Sequence, residues 1–102
     1  MTKFVLYSKK EHFIGYEVSG HSTNNQNDDE GRLVCSAVSS AVIMAANTIT
    51  DVLNLNADVK VDDGYLKLTV LNPNEESDVI IKGLQLHIYE LAKEHKGKIQ
   101  II

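Results

Sequence analysis

Twelve consecutive residues, 20–31, carry no aliphatic or aromatic side chain. They read Gly20-His21-Ser22-Thr23-Asn24-Asn25-Gln26-Asn27-Asp28-Asp29-Glu30-Gly31. A segment with nothing to bury makes neither a core strand nor a core helix, so it runs over the surface between two elements. Loops of this length in a compact domain are functional or disordered. The segment splits the chain, and each part must find its core pattern on its own side.

On the amino-terminal side, residues 3–8 alternate Phe4 and Leu6 against Val5 and Tyr7. Residues 12–19 place Ile14, Tyr16 and Val18 on one face. Both runs have the period of a strand, and the polar turn Lys9-Lys10-Glu11 makes them a hairpin. On the other side, residues 33–53 read as a helix. Val34, Val38, Ala41, Ala45, Ile49 and Val52 recur at the 3–4 spacing of a buried stripe.

Two strand-like runs, 58–62 and 65–70, then flank Asp63-Gly64. That dipeptide predicts a type I′ hairpin turn with positive φ at both central residues. Asn74 is placed to cap a second helix whose first turn carries Glu75, Glu76 and Asp78. Its stripe is Ile80, Leu84, Ile88 and Leu91, Gly97 stops it, and Ile99, Ile101 and Ile102 form a closing strand. The order β-β-α-β-β-α-β predicts an α+β domain over 1–102, with a mixed or mainly antiparallel sheet and two packed helices.

The chain has 102 residues, 43% hydrophobic and 24% charged, which suits one core rather than disorder. A net charge of -4 with no Lys/Arg cluster gives no electrostatic footprint for nucleic acid. No secretory signal is visible, and the apolar stretches fall short of the roughly 20 residues of a membrane span. The single cysteine suits a reducing compartment, so a cytoplasmic protein is expected.

That cysteine, Cys35, falls in the first turn of a helix beginning near Leu33, about 80° from the middle of the apolar stripe. Ser39 shares its side. First-turn N–H groups, that of Cys35 first among them, would favour a thiolate and hold an oxyanion. Gly20-His21 closes the second strand, so His21 can meet the thiol as a general base. The competing reading makes Cys35 a small apolar filler at a helix start.

The other histidines are weaker candidates. His12 is a solvated strand position, His87 a packed or surface residue, and His95 a cation at a helix end. Asp28-Asp29-Glu30 is a solvated loop, a first-turn acidic run or a weak calcium-like cluster. No metal site and no cofactor are expected.

Gly20-His21, a polar loop and Leu33-Val34-Cys35-Ser36-Ala37-Val38-Ser39 together resemble the ribosomal-processing cysteine protease family, Prp. The resemblance runs over nearly the whole chain and includes Asp63-Gly64-Tyr65-Leu66. It implies a cysteine endopeptidase that removes the N-terminal extension of a bacterial large-subunit ribosomal protein, after aromatic residues. It maps the catalytic pair onto His21 and Cys35, and site-shaping roles onto Gly20, Ser36, Ala37 and Ser39. It also implies a homodimer and a mobile loop gating the cleft. Many members carry an Asp three residues before the Cys, where this chain has Arg32, so a Cys-His dyad is expected rather than a triad. Arg32 near the thiol would itself favour the thiolate. Two other readings remain open: a non-enzymatic ribosome-associated binding module, and a thiol hydrolase or redox sensor unrelated to ribosomes.

Overall fold

A computed structural model describes residues 1–23 and 27–102. The elements are β1 (Thr2–Lys9), β2 (His12–Ser19), α1 (Asp29–Asn47), β3 (Ala57–Asp62), β4 (Tyr65–Val70), α2 (Glu75–Glu94) and β5 (Ile99–Ile101). The five strands form one sheet in the order β3-β4-β2-β1-β5. Every neighbouring pair is antiparallel except β1 and β5, which are parallel. The fold is therefore α+β with a mixed sheet and two helices, as the element pattern predicts.

Alternation decides which face of the sheet is covered. Phe4, Tyr16, Val18, Leu66 and Leu68 share the side that meets the helices, and all are buried. Tyr16 is the pivot of this layer. Its ring stacks on Phe4 at 6.3 Å, and its hydroxyl donates to the Val42 carbonyl at 2.8 Å. A buried phenol needs such an acceptor. Burial also pushes the Tyr16 hydroxyl far above its ordinary titration range.

The buried line of α1 departs from the predicted stripe. Val34, Val38, Val42, Ala45, Ala46 and Ile49 are buried, Ala41 is only half-buried, and Val52 is 71% exposed. The physical reason for the loss of Val52 is the π-helical turn Thr48–Val52 that continues α1. A wider turn moves later residues out of the 3.6-residue phase.

Residues Asp29–Val52 are long and apolar enough, by length and composition, to cross a membrane. That differs from the expected absence of any such stretch. Here the apolar side of the helix lies on the sheet, the arrangement of a core helix. In α2, Asn74 is the cap and forms a reciprocal capping box with Ser77. Ser77, Ile81, Leu84 and Ile88 are its buried residues, while Ile80 and Leu91 are half-buried.

The β3–β4 turn also differs from expectation. Gly64 has φ +67°, but Asp63 is not among the residues of positive φ. The signs are those of a type II turn, not a type I′ turn, with the glycine where type II demands it.

His12 is not simply solvated. Its Nδ1 lies 2.6 Å from Asp78 Oδ2, and the Phe13 N–H donates to Asp78 Oδ1 at 2.9 Å. This clamp ties β2 to the start of α2. Desolvation alone would raise the Asp78 carboxyl, but the His12 and Phe13 bonds outweigh it and hold it below its ordinary value of 3.8. A carboxyl held low in the folded state stabilises the fold above its unfolded value and ceases to do so as pH falls through the folded one. Asp78→Asn should lower Tm by about 5 °C at pH 7. The wild-type advantage should shrink as the pH drops below about 4 and be lost as it falls through the lower folded-state value. Thermal melts across that range check it, and a difference independent of pH would sink the assignment.

Candidate active site

The chain leaves β2 at Ser19 and is fastened at once to the far hairpin. The Gly20 N–H donates to the Gly64 carbonyl at 2.9 Å. Ser22 then turns inward and is 1% exposed. Its hydroxyl donates to the Lys98 carbonyl at 2.9 Å and accepts from Thr2 Oγ1 at 2.6 Å. With the side chain held there, the Ser22 N–H points at Cys35 Sγ, 3.1 Å away. An N–H on sulfur stabilises the charge of a thiolate.

The start of α1 lies four residues before the predicted one. Asp28 is the N-cap, accepting from the Gly31 N–H at 2.8 Å, and Asp29 and Glu30 occupy the first turn. Asp28 also holds Lys98 in an ion pair at 2.6 Å, with both side chains largely buried. Gly31 is where the loop and helix touch. A Cβ there would lie 2.6 Å from the Ser22 carbonyl oxygen and 2.5 Å from Asp28 Oδ2.

Cys35 is therefore the seventh residue of α1, about 9 Å along the axis from its first. The expected oxyanion donors at the helix start are too far from the sulfur, and the N–H of Cys35 sits inside the helical ladder. The main-chain donor at the sulfur is that of Ser22.

Cys35, Ser39, Gly20 and His21 line one cleft of about 240 Å³ between α1 and the β2–β4–β3 end of the sheet. His21 is exposed, and its ring rests against Gly64. No hydrogen bond joins His21 and Cys35 among the described residues. Proton transfer therefore requires the imidazole to turn toward the sulfur or a bound molecule to bridge them. Asp62 and Asp63 line the same cleft. They are the acids that line it, and the sequence pattern marks Asp63 only as a turn residue.

Other expectations change place. Ser36 is exposed and Ala37 lines the groove between α1 and α2, so neither lines the cleft. At about 100° per residue they rotate off the Cys35 face, whereas Ser39, four positions on, returns to it. Arg32 pairs with Asp29 one turn back along the exposed side of α1. Glu30 takes His95, 2.9 Å away, and His95 is the C-cap of α2. The acidic run is thus occupied by a cap and three ion pairs, and among the described residues it forms no calcium-like cluster. His87 is an exposed position on α2. The tip of the expected gating loop, residues 24–26, lies outside the described residues.

A thiol and an imidazole line one cleft of a small α+β domain, and these are the two kinds of group that a cysteine protease uses. Residues 1–100 match the family of cysteine protease Prp, and the chain belongs to that family. It is accordingly a protease. No curated protein matches it.

Among solved structures, the essential ribosomal processing protease Prp from S. aureus is similar in two complexes. The complex with a substrate peptide has a TM-score of 0.88 at 16% identity, covering 100% of this chain and 98% of that one. The complex with a covalently linked product peptide has a TM-score of 0.86 at 17% identity, covering 99% and 97%. A Streptococcus mutans protein has a TM-score of 0.84 at 20% identity, covering 100% and 94%. At these identities the likeness is one of fold.

Proposed function

We propose that this chain is an endopeptidase that removes the N-terminal extension of a bacterial large-subunit ribosomal protein, with Cys35 as nucleophile and His21 as base. The observation that carries the reading is the Ser22 N–H donated to Cys35 Sγ on the cleft that His21 also lines. A cysteine serving only as filler has no need of a donor aimed at its sulfur from the residue beside a histidine. The peptide complexes of the S. aureus protein lend support from a protein of the same fold.

In this reading His21 takes the thiol proton as Cys35 Sγ attacks the scissile carbonyl carbon, forming a C–S bond. Collapse of the tetrahedral adduct breaks the C–N bond, and the leaving amine takes the proton from His21. Water then attacks the thioester while His21 accepts its proton. The C–S bond breaks, the acid leaves, and the thiol recovers its proton. The Ser22 N–H holds charge on the sulfur before attack and on its departure. By family resemblance the enzyme acts as a cytoplasmic homodimer.

The test is incubation with a synthetic peptide spanning the extension and the first residues of the mature ribosomal protein. One cut at the junction is expected by mass spectrometry, and prior alkylation with iodoacetamide should stop it. Cleavage that survives complete alkylation of Cys35 would refute the thiol mechanism. Binding without any cleavage would favour the non-enzymatic module.

A further inference from the structure

Gly64 does more than close a hairpin. A Cβ built on it would lie 2.7 Å from Nε2, 3.0 Å from Cε1 and 3.4 Å from Cδ2 of His21. Three ring atoms at those distances mean that the outer edge of the imidazole occupies the space where a side chain would stand. The main chain fastens the same two places together, since the residue before His21 donates its N–H to the Gly64 carbonyl. Among the described residues no carboxylate hydrogen-bonds the His21 ring, and Arg32 is engaged with Asp29. The imidazole of an acid–base residue must nonetheless be kept on the cleft, within a turn of the thiol, to work.

We propose that Gly64 is a positioning residue for His21: the β3–β4 turn is a seat for the imidazole, and the missing side chain of Gly64 is what makes room for it. This rests on His21 acting as the base, as proposed above. The glycine then meets two separate demands. Its φ of +67° is a backbone demand, which Asn also tolerates at modest cost. The empty Cβ position is a steric demand, which no other residue meets.

Gly97 separates the two demands. Its φ is +83°, and a Cβ there meets nothing within 4 Å. Gly97→Ala therefore measures backbone strain without crowding. Peptide cleavage should be compared for wild type, Gly64→Ala, Gly64→Asn, Gly97→Ala and His21→Ala, with each variant's fold checked by circular dichroism.

Both Gly64 variants should lose on the order of 100-fold in kcat with KM nearly unchanged, as expected for a misplaced catalytic group. Gly97→Ala should stay far closer to wild-type kcat than either Gly64 variant. In the wild type, NMR should show cross-relaxation between the His21 ring protons and the Gly64 α-protons.

Wild-type kcat in folded Gly64→Asn, with His21→Ala inactive, would overturn the seat while leaving the dyad intact. A rise in KM alone would also overturn it, since that marks a substrate contact. Full activity in His21→Ala would instead overturn the base assignment itself. Should both Gly64 variants fail to fold, the wild-type cross-relaxation still decides, and its absence would count against the seat.

Discussion

Cys35→Ala should abolish peptide cleavage while leaving the fold nearly intact. The side chain sits at the edge of the apolar stripe and is half-buried, so its loss opens little cavity. The Ser22 N–H loses an acceptor, at a cost of about 1 kcal/mol. Activity should fall on the order of 10⁴- to 10⁶-fold, because the proposed covalent intermediate forms on Cys35. His21→Ala should fall by a comparable factor, since removing either member of a unit costs nearly as much as removing both. The double variant should accordingly be little worse than either single one. Initial rates on the extension peptide, with melts to verify folding, provide the measurement. A Cys35→Ala protein cleaving at the wild-type rate ends the proposal. A large loss of Tm in that variant would instead return Cys35 to the role of core filler.

The largest stability effect is expected from one methyl group far from the thiol. Gly15 lies on β2, the central strand, opposite Thr69 of β4. A Cβ on it would overlap the Leu68 carbonyl oxygen and lie 3.0 Å from that carbonyl carbon and 3.1 Å from the Thr69 Cα. All three neighbours are backbone, so no rotamer change relieves the clash, and the strands must move apart. Overpacking of this kind costs about 3 kcal/mol or more. Gly15→Ala should therefore lower Tm by more than ~10 °C. Urea titration is the direct check, and a change within about 0.5 kcal/mol would show that the strands absorb the methyl group. Activity per folded molecule should stay near wild type, because Gly15 does not line the cleft.

Period and punctuation carried much of the fold. Phe4, Tyr16, Leu66 and Leu68 alternate as the sheet requires, and Asn74 announces α2. The start of α1 was hidden because its first turn, Asp29-Glu30-Gly31, has no apolar residue. Periodicity is silent there, and only the capping chemistry of Asp28 marks the boundary.

The site was legible in its two reactive groups and illegible in what holds them. Ser22 looks like loop because nothing local buries it. Its burial depends on Thr2 and on Lys98, 76 positions away. Asp62, Asp63 and Gly64 come beside His21 only because β2 pairs with β4, a long-range choice that follows from the sheet order. Ser36 and Ala37 come to the site only through the family resemblance, and helical rotation carries them away from the thiol.

The anchor of Ser22 has a dynamic consequence. Lys98 stands immediately ahead of β5, which is three residues long and lies at the margin of the sheet. Such a strand opens at a small fraction of the free energy that unfolds the core. Each opening would loosen Ser22, and with it the donor at the sulfur, because the Ser22 hydroxyl is held by the Lys98 carbonyl. The reactivity of the thiol is thus coupled to breathing at the opposite border of the sheet. Heat or mild denaturant should quiet the nucleophile well before the molecule melts.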